Sequence, residues 1–311
     1  MGRTRALVIV LLLFTILLGL TVVGVMLVVG PIDRGHRDTH SVVQASPVPG
    51  PDHTPDHTPD HTLDPDKDAG AGEDVAGDEW RFETEAPVKS LNTGRVFFVD
   101  RVLGFRILTD VTLRSHPNMS KLRSSIRRQL MYVRSKISPH AFALLKNIPI
   151  WNSPRYDGYP AGGAYHPGSG WLRLKQRPVE MTNCIETFII DDIEAEYRRM
   201  PLWLWHELAH GYHFRYMSTE KKEAMRAALA RTKAMYTDVP AYDGAGQMVV
   251  RSSYPAKNEY EFFAEMSENY IGYGDVRNDI YPFRADALRR TDPETYALVD
   301  SIWGGGGGGV A

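Results

Sequence analysis

The residues most able to do chemistry are His206, Glu207 and His210, in the run HELAH within RRMPLWLWHELAHGYHF. Pro201 suits the first position of a helix and Leu202–His210 contains no helix breaker, so the run is expected on a helix. Positions four apart stack on one helical face, where two imidazoles converge on one metal ion, and Glu207, one step around, reaches a water beside it. The plainer alternative is a helix whose histidines merely satisfy neighbouring hydrogen bonds. The single cysteine, Cys184, excludes cysteine-rich metal sites and an intramolecular disulfide, so any metal is held by histidines and carboxylates. Cys184 itself reads as a small buried residue.

A catalytic zinc needs a third protein ligand and one open position. The pattern HExxHxxGxxH is absent, because His213 and Tyr216 stand where its glycine and third histidine belong. A carboxylate on a later helix remains, and NEYEFFAEMSENYIG (Asn258–Gly272) carries Glu261 and Glu265 four apart beside the apolar stripe Phe262, Phe263 and Met266. Two acids next to core phenylalanines need compensating charge. Glu261 is assigned to one Zn2+ per chain and Glu265 to the free imidazole nitrogen of a ligand histidine, with Glu259 and Glu268 left to solvent. His213 reads as structural or as lining the substrate cleft, and His166, in AYHPGSGW, as a second cleft candidate or a loop histidine.

HELAH followed some fifty residues later by EFFAE resembles the zinc peptidase domain of anthrax lethal factor and related bacterial proteins, within the gluzincin group. The longer runs GAYHPGSGWL, VEMTN and NDIYPFRADALRRTDPETYALVDSIW also resemble a family of extracytoplasmic proteins carrying that domain. The likeness covers about Gly163–Trp303, and lethal factor's substrate-docking domains have no counterpart in it. It implies a zincin-like metallopeptidase acting on a peptide or protein, with Glu207 as general base and Tyr254, seven residues before Glu261, as donor to the oxyanion. Two other classes stay open: a binding module on the same fold without catalysis, and a zinc hydrolase of a non-peptide amide such as a cell-wall bond.

The elements that must position these groups are an N-terminal set of strands and a later set of helices, hence an α+β fold, mostly helical in its C-terminal half. RVFFVD (Arg95–Asp100), FRILTDVTL (Phe105–Leu113), IPIW (Ile148–Trp151) and VEMTN (Val179–Asn183) read as strands. Ser120–Ile137 reads as a helix, Ser153–Trp171 as a Gly- and Pro-rich loop, and everything from Ile185 onward as helices joined by long loops.

Ahead of this domain, expected over residues 79–303, lie two segments of other character. Ala6–Val29 carries no charge, and its 24 residues make roughly 36 Å of helix, enough to span a bilayer. It reads as a signal anchor within residues 1–30, with the N-terminus cytoplasmic and the enzyme outside; secretion after cleavage is the alternative. Residues 31–78 contain PDHTPDHTPDHT and little to bury, so they read as an acidic, disordered stalk whose histidines could gather metal weakly. Residues 1–78 hold 5 basic and 11 acidic side chains, whereas the whole chain of 311 residues has 36 and 38, so its remainder carries +4. A balance that near zero gives no reason for a nucleic-acid partner. Residues 304–311 read as a flexible Gly-rich tail.

Overall fold

The computed structural model describes residues 85–243, 245–252 and 255–304. The anchor, the stalk, Tyr254 and the tail beyond Gly304 lie outside the described residues. No described helix is long and apolar enough to cross a membrane.

The described chain is mixed α and β. β1 (Glu85–Lys89), β2 (Val96–Val102), β3 (Phe105–Asp110), β4 (Ile150–Asn152), β5 (Gly163–Tyr165) and β6 (Ile185–Thr187) form one sheet in the order β1-β2-β3-β4-β6-β5. The β3–β4 and β4–β6 pairs are parallel and the others antiparallel. Side-chain alternation gives this sheet two covered faces. Phe105, Ile107, Ile150 and Ile185 join the main core beneath the helices, while Phe97, Val99, Leu108 and Trp151 pack with Leu172, Met181 and Cys184 on the opposite face.

The helices are α1 (Met119–Lys136), α2 (Pro139–Leu145), α3 (Ser169–Leu174), α4 (Ile193–Arg199), α5 (Trp203–Arg215), α6 (Thr219–Thr232), α7 (Glu259–Ile271), α8 (Ala285–Thr291) and α9 (Pro293–Trp303). The centre is α5 packed on α7. Trp203 to Gly211 are buried without interruption, as are Glu261 to Ile271, which is the pattern of helices enclosed on all sides. Gly211 lets α5 lie close to Ile148 and Tyr165 on the sheet side, since a Cβ there would stand 2.6 Å from Ile148 Cδ1. The indole of Trp205 donates to the Ser267 carbonyl at 2.8 Å and that of Trp303 donates to Ser267 Oγ at 3.0 Å, so α5, α7 and α9 are pinned at one point. The first turn of α5 has no side-chain cap of its own; the N–H of Leu204 finds Gln129 Oε1 at 3.0 Å on α1.

Several expected elements differ. β3 stops at Asp110, whose carboxylate accepts from the N–H and hydroxyl of Thr112 and draws Val111–Leu113 into a 3-10 turn. VEMTN is likewise a 3-10 turn, over Val179–Met181, and Asn183 has a left-handed φ of 59° that no strand accommodates. The strand lies just beyond, at Ile185–Thr187, where three wholly buried residues carry no alternation to distinguish strand from helix. The Gly-rich loop contains β5 and the start of α3. The helical half also holds an antiparallel hairpin, β7 (Asp238–Tyr242) with β8 (Met248–Ser252). Helix α5 begins at Trp203, because Pro201 and Leu202 form the preceding turn.

Candidate metal centre

One turn of α5 and the first turn of α7 bring His206, His210 and Glu261 together. Their Nε2, Nε2 and Oε2 atoms form a triangle with edges of 3.1 Å (His206 to His210), 3.5 Å (His206 to Glu261) and 3.2 Å (His210 to Glu261). Zinc bonds of about 2.0–2.1 Å at tetrahedral angles require donor separations of about 3.3 Å, so this chain's residues fit the ion. The charge fits as well: two imidazoles and a carboxylate converge in a space with almost no solvent. Asn258 sets the third donor, because its side chain caps α7 by accepting the N–H of Glu261 at 2.9 Å.

The carboxylate on the other side of His206 is Glu268. Its Oε1 lies 2.6 Å from His206 Nδ1, whereas the nearest oxygen of Glu265 is 3.8 Å away. Glu265 instead accepts from Asn278 Nδ2 at 2.8 Å. Glu265 therefore does not hold the imidazole, and Glu268, expected in solvent, is fully buried. At about 100° per residue both i+4 and i+7 lie within about 40° of Glu261, and the packing of α7 on α5 is what brings Glu268 to Nδ1. A metal held at Nε2 would leave the proton on Nδ1, which would donate it to Glu268. Burial pushes the Glu268 carboxyl up to about 8, raised further by Glu265, while the bond to His206 pulls it down. Burial would lower the His206 imidazole, but its hydrogen bonds to Glu261 and Glu268 outweigh that and hold it well above its ordinary value. Burial likewise opposes the charge of Glu261, and His210 and His206 nevertheless keep it well below the usual carboxylate range. Glu268→Gln is expected to weaken zinc binding about 10–100-fold in a competition titration, with Glu265→Gln within about threefold of the parent. The opposite ranking would return the role to Glu265.

Glu207 is buried and turned to the sheet. Its Oε2 accepts the backbone N–H of Tyr165 at 2.9 Å, on β5. Beside it, Gly163 leaves the space its carboxylate needs, since a Cβ there would stand 3.1 Å from Glu207 Cγ and 3.3 Å from Oε1. Neither Gly163 nor the Tyr165 amide was legible as a partner of Glu207, because a backbone donor leaves no mark in residue type.

The two histidines considered for the cleft are both buried. His213 sits against the rings of Phe214, Tyr260 and Phe263, at 5.2, 6.2 and 6.1 Å, with no hydrogen-bond partner for either nitrogen among the described residues. Burial pushes its pKa down to about 4. An unfolded histidine near 6.5 binds a proton that the folded one refuses, so His213 makes stability fall as pH drops from about 6.5 to about 4. His213→Phe should remove that loss: relative to the parent, the variant gains about 2 kcal/mol of unfolding free energy at pH 5 over its value at pH 7. Equal pH dependence of the urea midpoints in the two proteins would refute the assignment.

His166 lies on the opposite face of the sheet, stacked on Trp171 at 5.3 Å, with Nε2 3.0 Å from Glu186 Oε2. Glu186 is fully buried and also takes Arg177 Nη1 at 2.7 Å and the Tyr156 hydroxyl. Burial opposes its charge, yet the bond to His166 and the field of Arg177 hold its pKa down to about 2. Cys184 is buried and unpaired, and burial pushes its thiol up to about 11.

In comparisons with known proteins, no family model, curated protein or solved structure matches this chain.

Proposed function

We propose that this chain is a zinc metallopeptidase of the gluzincin kind, with a zincin-like catalytic domain. The observation that carries the reading is the donor triangle of His206, His210 and Glu261 at tetrahedral spacing, with the buried carboxylate of Glu207 beside it on α5 and not among the donors. Zinc bound there supplies a Lewis acid for the scissile carbonyl and makes water a nucleophile near neutral pH.

The chain's own residues do the rest. His206 and His210 present Nε2, and Glu261 presents Oε2 from the capped first turn of α7. Glu268 fixes the ring of His206 through Nδ1. The Tyr165 N–H occupies Glu207 Oε2 and so leaves Oε1 to take the proton of the attacking water and return it to the leaving amine. Tyr254, outside the described residues, is proposed as donor to the developing oxyanion on the resemblance alone. The apolar run 6–29 is proposed to hold this domain at the outer face of a membrane.

Peptide-library cleavage by the full chain tests the reading. Zinc-dependent cleavage, removed by chelation and restored by zinc, is the expected result. A zinc-loaded chain that cleaves no peptide would reject it in favour of a non-peptide amide or of binding without catalysis.

A further inference from the structure

Of the three candidate donors, the His206 side chain shows no surface to solvent, whereas those of His210 and Glu261 each show 9%. Solvent therefore reaches the triangle from the side of His210 and Glu261. Two aromatic rings stand on that side. Tyr260, the residue before Glu261 on α7, holds its ring 5.9 Å from that of His210, edge to face. Phe214, one turn beyond His210 on α5, lies 5.5 Å from the Tyr260 ring and stacks on that of Tyr165 at 5.7 Å, with the planes 15° apart. The row of Tyr260, Phe214 and Tyr165 thus runs from a candidate metal ligand to the residue whose N–H holds Glu207. Phe214 is its exposed member, with 36% of its surface in solvent, and Tyr260 is half-buried. Neither ring is part of the main core beneath the helices.

We propose that Phe214 and Tyr260 determine specificity, forming a wall beside the metal on which the substrate lays a large apolar side chain next to the reacting carbonyl. This rests on the peptidase reading for the identity of the substrate as a peptide. A single exposed phenylalanine needs no explanation, but this one is joined to a second ring at the open side of the donor triangle. A ring in contact with a ligand imidazole stands one side chain's length from a carbonyl at the metal. What the row offers there is flat apolar surface, already fixed in place by ring contacts on both sides of Phe214. A large apolar side chain covers part of both rings at once, whereas a methyl group reaches little of either.

Phe214→Ala and Phe214→Lys test the assignment, since Phe214 is not among the candidate donors. The first removes the ring; the second keeps an apolar stem over His213 and brings a charge to the row. Matched peptides carrying Phe, Ala, Glu or Lys at each position flanking the cleaved bond are compared with the full chain. At one position the parent should favour Phe over each of the others by at least about tenfold in kcat/KM. Phe214→Ala should erase most of that preference with zinc still at one per chain, and Phe214→Lys should turn it toward Glu. A Phe214→Ala chain that no longer holds zinc leaves the decision to Phe214→Lys. The parent's preference unchanged in the variants, no preference in the parent, or a parent that favours Glu or Lys overturns the wall while leaving the peptidase standing. Should no peptide be cleaved, zinc-chelating hydroxamates take the place of the peptides. Binding of phenylacetohydroxamate by the zinc-loaded chain at least about tenfold tighter than acetohydroxamate, with the difference lost in Phe214→Lys, then supports the wall even as the peptidase reading fails. Equal binding of the two hydroxamates by the parent, or a difference that Phe214→Lys retains, overturns the wall as well.

Discussion

Glu207→Gln is expected to retain one zinc per chain and to lower peptide hydrolysis by about 10²–10⁴-fold. The amide keeps the shape of the side chain, and its oxygen can still accept the Tyr165 N–H that now meets Oε2. What it loses is the ability to take a proton from water. Because Glu207 is not one of the three candidate donors, its substitution separates metal binding from chemistry. Zinc content by mass spectrometry and kcat for a cleaved library peptide are the two measurements. Retained zinc with unchanged kcat would remove Glu207 from the mechanism, and lost zinc would mean that the helix face had been assigned one residue out of register.

His206→Ala carries the other large effect, on metal and fold together. His206 is the node of the site, with Nε2 toward His210 and Glu261 and Nδ1 toward Glu268. Deleting the ring takes from buried Glu268 its hydrogen-bond partner and from buried Glu261 one of its two imidazole neighbours. The expected cost is about 3–5 kcal/mol of unfolding free energy, in addition to the loss of zinc. Glu261→Gln is the companion variant, since it preserves volume and removes only the anionic donor. It should fold and bind zinc far more weakly. A His206→Ala variant that still holds one zinc at the parent's affinity would refute the site.

The local chemistry was readable because it is carried by helical periodicity. His206 and His210 fall four apart on one helix, and Glu261 falls among buried apolar neighbours on another, so residue type and spacing alone nominate the donors. The spacing rule then chose wrongly between Glu265 and Glu268, because both lie near the same helical face and only the crossing of α7 over α5 decides which one reaches Nδ1. The two short strands β5 and β6 were missed for a related reason. Three residues are too few to show a period of two, and β6 exists because it pairs in parallel with β4 and antiparallel with β5.

The aromatic surround of Arg177 is further still from the sequence. Tyr159, Trp171 and Phe188 are spread over thirty residues of loop, helix and turn, and they meet around the guanidinium of Arg177. The same holds for the aromatic enclosure of His213, whose neighbours come from its own helix and from α7. The sequence by itself nominates His206, His210 and Glu261 as candidate donors and the helix carrying the two histidines, and excludes a cysteine-based site, since each depends on composition or on spacing within one helix. The tertiary structure alone decided which carboxylate meets His206 and which backbone amide holds Glu207, since each depends on contacts between elements distant along the chain.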